Sequence, residues 1–147
     1  MSLDQILRRK AGRIISRPPT TPVSEIANLM RAENIGAVVI VRIDGSVAGI
    51  ISEREIVAAL NKHGSAAMQL FSRDIMITDL PQVRPDEKIH NVMTMMTLSR
   101  MRHVPVVDGR NLVGVLSIGD IVAARLDETN MENAVLRDMA LSHLAAA

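Results

Sequence analysis

The chain of 147 residues is 48% apolar and 22% charged, the composition of about one globular domain, which leaves no room for a second large catalytic domain. Seventeen Lys and Arg against 16 Asp and Glu give a formal charge of +1, too balanced for the broad basic footprint of a nucleic-acid binder, and the lone aromatic, Phe71, offers no stacking platform for bases. Without cysteine there is no disulfide, no thiolate nucleophile and no cysteine zinc site.

The first ten residues hold Asp4, Arg8 and Arg9 and no apolar h-region, so no secretory signal is read there. The longest aliphatic stretch, Ala37 to Val41, falls far short of the roughly 20 residues that cross a bilayer. A cytoplasmic protein without membrane contact is the expectation. Positive charge gathers at Arg8, Arg9, Lys10, Arg13 and Arg17, with Arg13 and Arg17 as secondary phosphate candidates.

Thr21 is the expected N-cap of a first helix, with Pro22 at its first position and Val23, Ile26, Ala27, Leu29 and Met30 at helical spacing. Ala37 to Val41 and Val47 to Ile51 read as strands joined through Asp44-Gly45, a strong hairpin signal. Asn61 to Asp74, with Gly64 and Ser65, reads as a linker. Asp86 is then the expected cap of a helix striped by Ile89, Val92, Met93 and Met96, its methionines serving as core filler. A second hairpin joins Val104–Val107 to Leu112–Leu116 through Asp108-Gly109. From Asp127 onward, Met131, Val135, Met139 and Leu144 suggest a further amphipathic helix.

These elements repeat. Pro19 to Val41 aligns with Pro85 to Val107 at an offset of 66, and after one deletion Gly49-Ile50-Ile51-Ser52 aligns with Gly114-Val115-Leu116-Ser117 at 65. Each copy is too small to bury a face alone, so the two must pack together. The expected division is 1–64 for the first copy with its N-terminal segment, 65–126 for the linker and second copy, and 127–147 for the last helix.

In both copies a strand ends in serine with an acid three residues on: Ser52 with Glu55, Ser117 with Asp120. Ser-x-x-acid before an apolar helical run is a capping box. The same strand-to-helix turn exposes backbone N–H groups and a carboxylate beside a cleft, and a carboxylate can accept hydrogen bonds from two adjacent ribose hydroxyls.

The ordered pair of motifs resembles the cystathionine β-synthase (CBS) domain family as a stand-alone tandem pair. The matching stretches are Ile35 to Val41, Gly49 to Glu55, Arg102 to Val107 and Gly114 to Asp120. The resemblance implies an α/β (α+β) Bateman module of two pseudo-symmetric β-α-β-β-α repeats, usually a homodimer, that regulates a separate partner protein. It implies clefts for adenosine compounds: AMP, ADP, ATP or NAD(H), ahead of S-adenosylmethionine. Carried onto this chain, Ser117 and Asp120 hold ribose in the second-repeat cleft with Ile77, Thr78, His103, Val104 and Pro105 around the base, and Ser52 and Glu55 act likewise in the first. Gly36 and Ala37 join the base-pocket set, and Arg54, Arg102 and His103 the phosphate set. The family usually has aspartate where this chain has Glu55, so the second cleft is the expected primary site.

No Gly-x-Gly-x-x-Gly, Walker or His-Glu-x-x-His motif occurs, and His63, His90, His103 and His143 fall singly. Neither catalysis nor a metal is expected. The alternative to nucleotide sensing is a ligand-free dimerisation scaffold of the same fold.

Overall fold

A computed structural model describes residues 2–10 and 14–146; Arg13 lies outside the described residues. The element order is α1 (Leu3–Arg9), β1 (Ser16–Arg17), α2 (Val23–Glu33), β2 (Ala37–Val41), β3 (Val47–Ser52) and α3 (Glu53–His63). A 3₁₀ turn, Gly64–Gln69, follows. The second half has α4 (Ser72–Ile75), α5 (Ile89–Ser99), β4 (His103–Asp108), β5 (Asn111–Ser117) and α6 (Ile118–Ala146). This is the mixed α/β pair of small sheets that the repeat implies.

The copies superpose in register as well as in sequence. Helices α2 and α5 begin and end 66 residues apart, at Val23 and Ile89 and at Glu33 and Ser99. Both are stopped by a left-handed non-glycine residue, Asn34 (φ 53) and Arg100 (φ 56). Arg17 pairs in parallel with Ile40, and Val83 forms the matching parallel bridge to Val106. Each hairpin carries a register shift, between Ile40 and Val41 and between Val106 and Val107. Gly45 (φ 87) and Gly109 (φ 63) supply the left-handed backbone that both hairpin turns require.

Two expected caps move. The N-cap of α2 is Pro22, not Thr21, which is buried and gives its carbonyl to the N–H and hydroxyl of Ser72. The N-cap of α5 is Lys88, while Asp86 turns back to Arg84 at 3.3 Å. Met30 and Met96 are core residues, but Met93 is 38% exposed. The expected separate C-terminal helix is the continuation of α6, a single run of 29 residues whose apolar side chains beyond Asp127 face outward.

Three apolar clusters hold the molecule together. One fills the first repeat with Ile26, Met30, Val38, Ile40 and Ile51; another fills the second with Val92, Met96, Val104, Val106, Leu116 and Ile121. Ala37, Val39 and Ile50 join Val115, Leu112 and Met101 between the repeats. The leading segments are exchanged: Leu3 and Ile6 of α1 are buried in the second-repeat core, whereas Ile75 and Met76 at the end of α4 pack on the first. Helix α1 thus packs on 65–126, while β1 pairs with β2 inside 1–64.

Candidate functional site

The exchange of leading segments decides what each cleft contains. Ile77 forms a two-way backbone pair with Ile50 (3.0 and 2.9 Å) and so lines the cleft of Ser52 and Glu55, not that of Ser117 and Asp120. Thr78 follows it on the exposed side. The cavity here measures about 330 Å³ and is lined by Gly36, Ile50, Ser52, Glu53, Arg54, Glu55, Ile77 and the run Ser99 to His103, a volume at the small end of ligand pockets. Its apolar wall is Ile50, Ile77 and Met101; its polar rim is the start of α3 and the end of α5.

At the start of α3 the Ser52 N–H donates to Glu55 Oε2 at 3.1 Å, and the Ser52 hydroxyl donates to the same oxygen. Glu55 is 9% exposed, and the serine satisfies one of its carboxyl oxygens. Arg54, Arg100 and Arg102 line the same cavity, and among the described residues none of their guanidinium groups meets a carboxylate or carbonyl. Arg8, Arg9, Arg84 and Arg125, by contrast, are all ion-paired. Arg100 was not among the sequence candidates. Its signal was its place at offset 66 from Asn34, the residue that ends α2.

The second cleft is built differently. Ser117 and Asp120 form a reciprocal cap: Ser117 N–H donates to Asp120 Oδ2 at 2.8 Å and Asp120 N–H to Ser117 Oγ at 3.1 Å. Lys10 Nζ also reaches Asp120 Oδ2 at 2.8 Å, and the carbonyl of Val115 at 2.6 Å. Burial raises the Asp120 pKa, but the bonds from Lys10 and Ser117 outweigh it and hold the carboxyl below its usual 3.8. Beside it lies a smaller cavity of about 200 Å³, lined by Lys10, Ala37, Gly114 and mainly aliphatic side chains. Of these two cavities the larger belongs to the first cleft, whereas the aspartate at position 120 favours the second.

His103 stands between the clefts. It lines the first cavity, pairs in register with Ser117, and its ring approaches Gly36. Burial and the neighbouring Lys10 and Arg102 charges hold its pKa below 6.5 against the opposing pull of Asp120 and Glu53. Two expected base-pocket residues lie elsewhere. Val104 is fully buried in the second-repeat core, and buried Pro105 gives its carbonyl to the Val83 N–H. Arg17 sits in β1, where its guanidinium bonds the Ser16 carbonyl. Among the described residues, no cluster of three His, Cys, Asp or Glu side chains could hold a metal ion, and no helix is long and apolar enough to cross a membrane.

The CBS domain family model matches residues 18–62 and 72–127, more than half of the chain. A mitochondrial CBS domain-containing protein of Arabidopsis thaliana is 33% identical over 114 residues, 75% of this chain and 55% of that protein, so the chain spans about half the length of this relative. A CBS-domain protein of Agrobacterium tumefaciens has a similar solved structure, with a TM-score of 0.80 and 35% identity over 84% of this chain and 92% of that one. The CBS domain pair solved with 5′-methylthioadenosine and S-adenosyl-L-methionine gives a TM-score of 0.76 and 26% identity, covering 88% and 98% of the two chains. With the repeat, the exchanged segments and these matches in agreement, the chain belongs to the CBS domain family as a tandem pair.

Proposed function

We propose that this chain is a regulatory module that binds an adenine nucleotide, of the AMP, ADP, ATP or NAD(H) class, in the Ser52–Glu55 cleft. The observation that carries this reading is the convergence of three arginines, Arg54, Arg100 and Arg102, without an ion-pair partner among the described residues, on the cavity that also holds a serine-capped carboxyl group. Glu55 has a second oxygen to offer ribose hydroxyls, and Ile50 and Ile77 supply an apolar wall for the base. The guanidinium groups and the N-terminus of α3 favour a phosphate tail. They disfavour the sulfonium cation of S-adenosylmethionine. The structural neighbour that holds adenosine compounds supports the ligand class. A cytoplasmic location goes with this reading, although the plant relative is mitochondrial by name.

Regulation requires unequal affinity for two arrangements, since a ligand that binds both equally shifts neither. The outputs open to the ligand are the packing of the repeats, seamed by Ala37, Val39 and Val115, and the contact with a separate partner protein. Isothermal titration with AMP, ATP, NADH and S-adenosylmethionine tests the reading. A phosphate-bearing ligand at 100 times its Kd adds about 2.7 kcal/mol, or a rise in Tm of roughly 5–10 °C. No heat and no melting shift for any of the four overturns it.

A second reading, a homodimeric scaffold, is favoured by one observation. Val57 and Leu60 on α3 and Ile118, Val122 and Leu126 on α6 are 40–65% exposed on the two repeat-equivalent helices. Light scattering that shows a nucleotide-independent dimer, with no ligand-dependent melting shift, selects the scaffold.

A further inference from the structure

The two clefts carry the same serine-acid turn but differ in charge: the first is lined by Glu53, Arg54, Arg100 and Arg102, whereas the cavity beside the second is lined by one charged side chain, Lys10. Helices α1 and α4 end at Arg9 and Ile75, 66 residues apart, so Lys10 corresponds to Met76. In the first cleft that position is a thioether packed near Gly49. In the second it is an ammonium held between the Asp120 carboxylate and the Val115 carbonyl.

We infer that Lys10 is a resident cation of the second cleft that competes with a ligand's ribose for Asp120, so that the second cleft takes an adenine nucleotide only when Lys10 is displaced. This rests on the reading of the clefts as nucleotide sites. The competition is direct, because a ribose hydroxyl pair and an ammonium seek the same carboxylate, and the charge-assisted bond is the stronger of the two. Lys10 is also well anchored. It is the C-cap of α1, whose Leu3 and Ile6 are buried in the second-repeat core, and the preceding Arg9 is ion-paired to Asp127 of α6 at 2.7 Å. Moving the ammonium off Asp120 therefore works against a segment that straps the second repeat to the long C-terminal helix.

The test is titration of the full chain with ADP, comparing wild type, Lys10→Met, and Lys10→Met combined with Asp120→Ala. Lys10 lies on the exposed rim, and Met keeps most of its stem. The expected result is one ADP per wild-type chain and two per Lys10→Met chain. Affinity for the added site should rise roughly 10- to 100-fold over any residual second-site binding in wild type. Adding Asp120→Ala should abolish that site. Two sites in wild type, or equal stoichiometry in wild type and Lys10→Met, overturns the inference. If wild type binds no ADP while Lys10→Met binds one, the first-cleft reading fails and the Lys10 inference stands. If wild type and Lys10→Met each bind one, the reverse holds.

Discussion

Gly36 and His103 face one another so closely that a Cβ on Gly36 would lie 3.1 Å from His103 Cε1 and 3.2 Å from Nε2. The glycine hydrogen is what leaves the imidazole its place at the boundary of the two clefts. Gly36 lies outside the left-handed region, so a larger residue there strains no backbone and acts through volume alone. Gly36→Val should push the ring into the cavity and weaken nucleotide binding by roughly tenfold or more, because close-packed walls do not yield freely. Calorimetry on the variant, with circular dichroism to show the fold retained, checks this; unchanged affinity would place the ligand away from His103.

Glu55 serves both as acceptor for the Ser52 N–H and as the proposed ribose acceptor, and one substitution separates the two roles. Glu55→Gln keeps a carbonyl oxygen for the cap but removes the charge. Binding should weaken by about 10- to 100-fold, the range for a hydrogen bond to a charged group. The Tm without ligand should stay within about 2 °C, since the cap bond survives. A large drop in Tm with no change in affinity would leave the residue a cap and nothing more.

The hairpins were legible because Asp-Gly turns are a local signal: Gly45 and Gly109 adopt the positive φ that such a turn demands. The helix caps were misplaced because tertiary contacts claimed the residues. Thr21 is covered by Ser72, and Asp86 answers Arg84. Placing Ile77 required knowing that α1 and α4 change places between the repeats, a non-local packing choice that no periodicity encodes. The contact of Lys10 with Asp120 spans 110 positions for the same reason. Arg100 is not legible in the sequence because its place depends on a left-handed turn at a helix end, which sets it in the lining of a cavity shared by both repeats.

Acidification should destabilise the fold in two stages. The His103 pKa is lowered first by burial, then by Lys10, so the unfolded chain protonates more readily than the folded one. The stability this confers is complete above the usual value of 6.5 and is lost as pH falls below it toward the folded pKa. Asp120, also lowered on balance, contributes stability that is present above its usual 3.8 and disappears at still lower pH, as the Lys10 pair is broken. Urea midpoints should hold steady at neutral pH and begin to fall as pH drops below the usual histidine value of 6.5. His103→Gln should flatten that first decline and leave the second, and an identical profile in the variant would assign the upper transition elsewhere.

Gly49 and Gly114 are repeat equivalents, yet their tolerance should differ because they meet different atoms. A Cβ on Gly49 would lie 2.6 Å from the Ile77 carbonyl oxygen, which is fixed in its bond to the Ile50 N–H. On Gly114 it would lie 2.7 Å from Leu7 Cδ2, the end of a partly buried side chain that can rotate away. Gly49→Ala should cost about 2–3 kcal/mol, toward the upper end of overpacking penalties, and Gly114→Ala under about 1 kcal/mol. Since Ile77 lines the first cavity, the Gly49 variant should also lose affinity for nucleotide, whereas the Gly114 variant should keep it. Urea unfolding with paired calorimetry measures both quantities, and equal losses at the two glycines would mean that the strand crossing at Ile77 is as pliable as the end of a leucine.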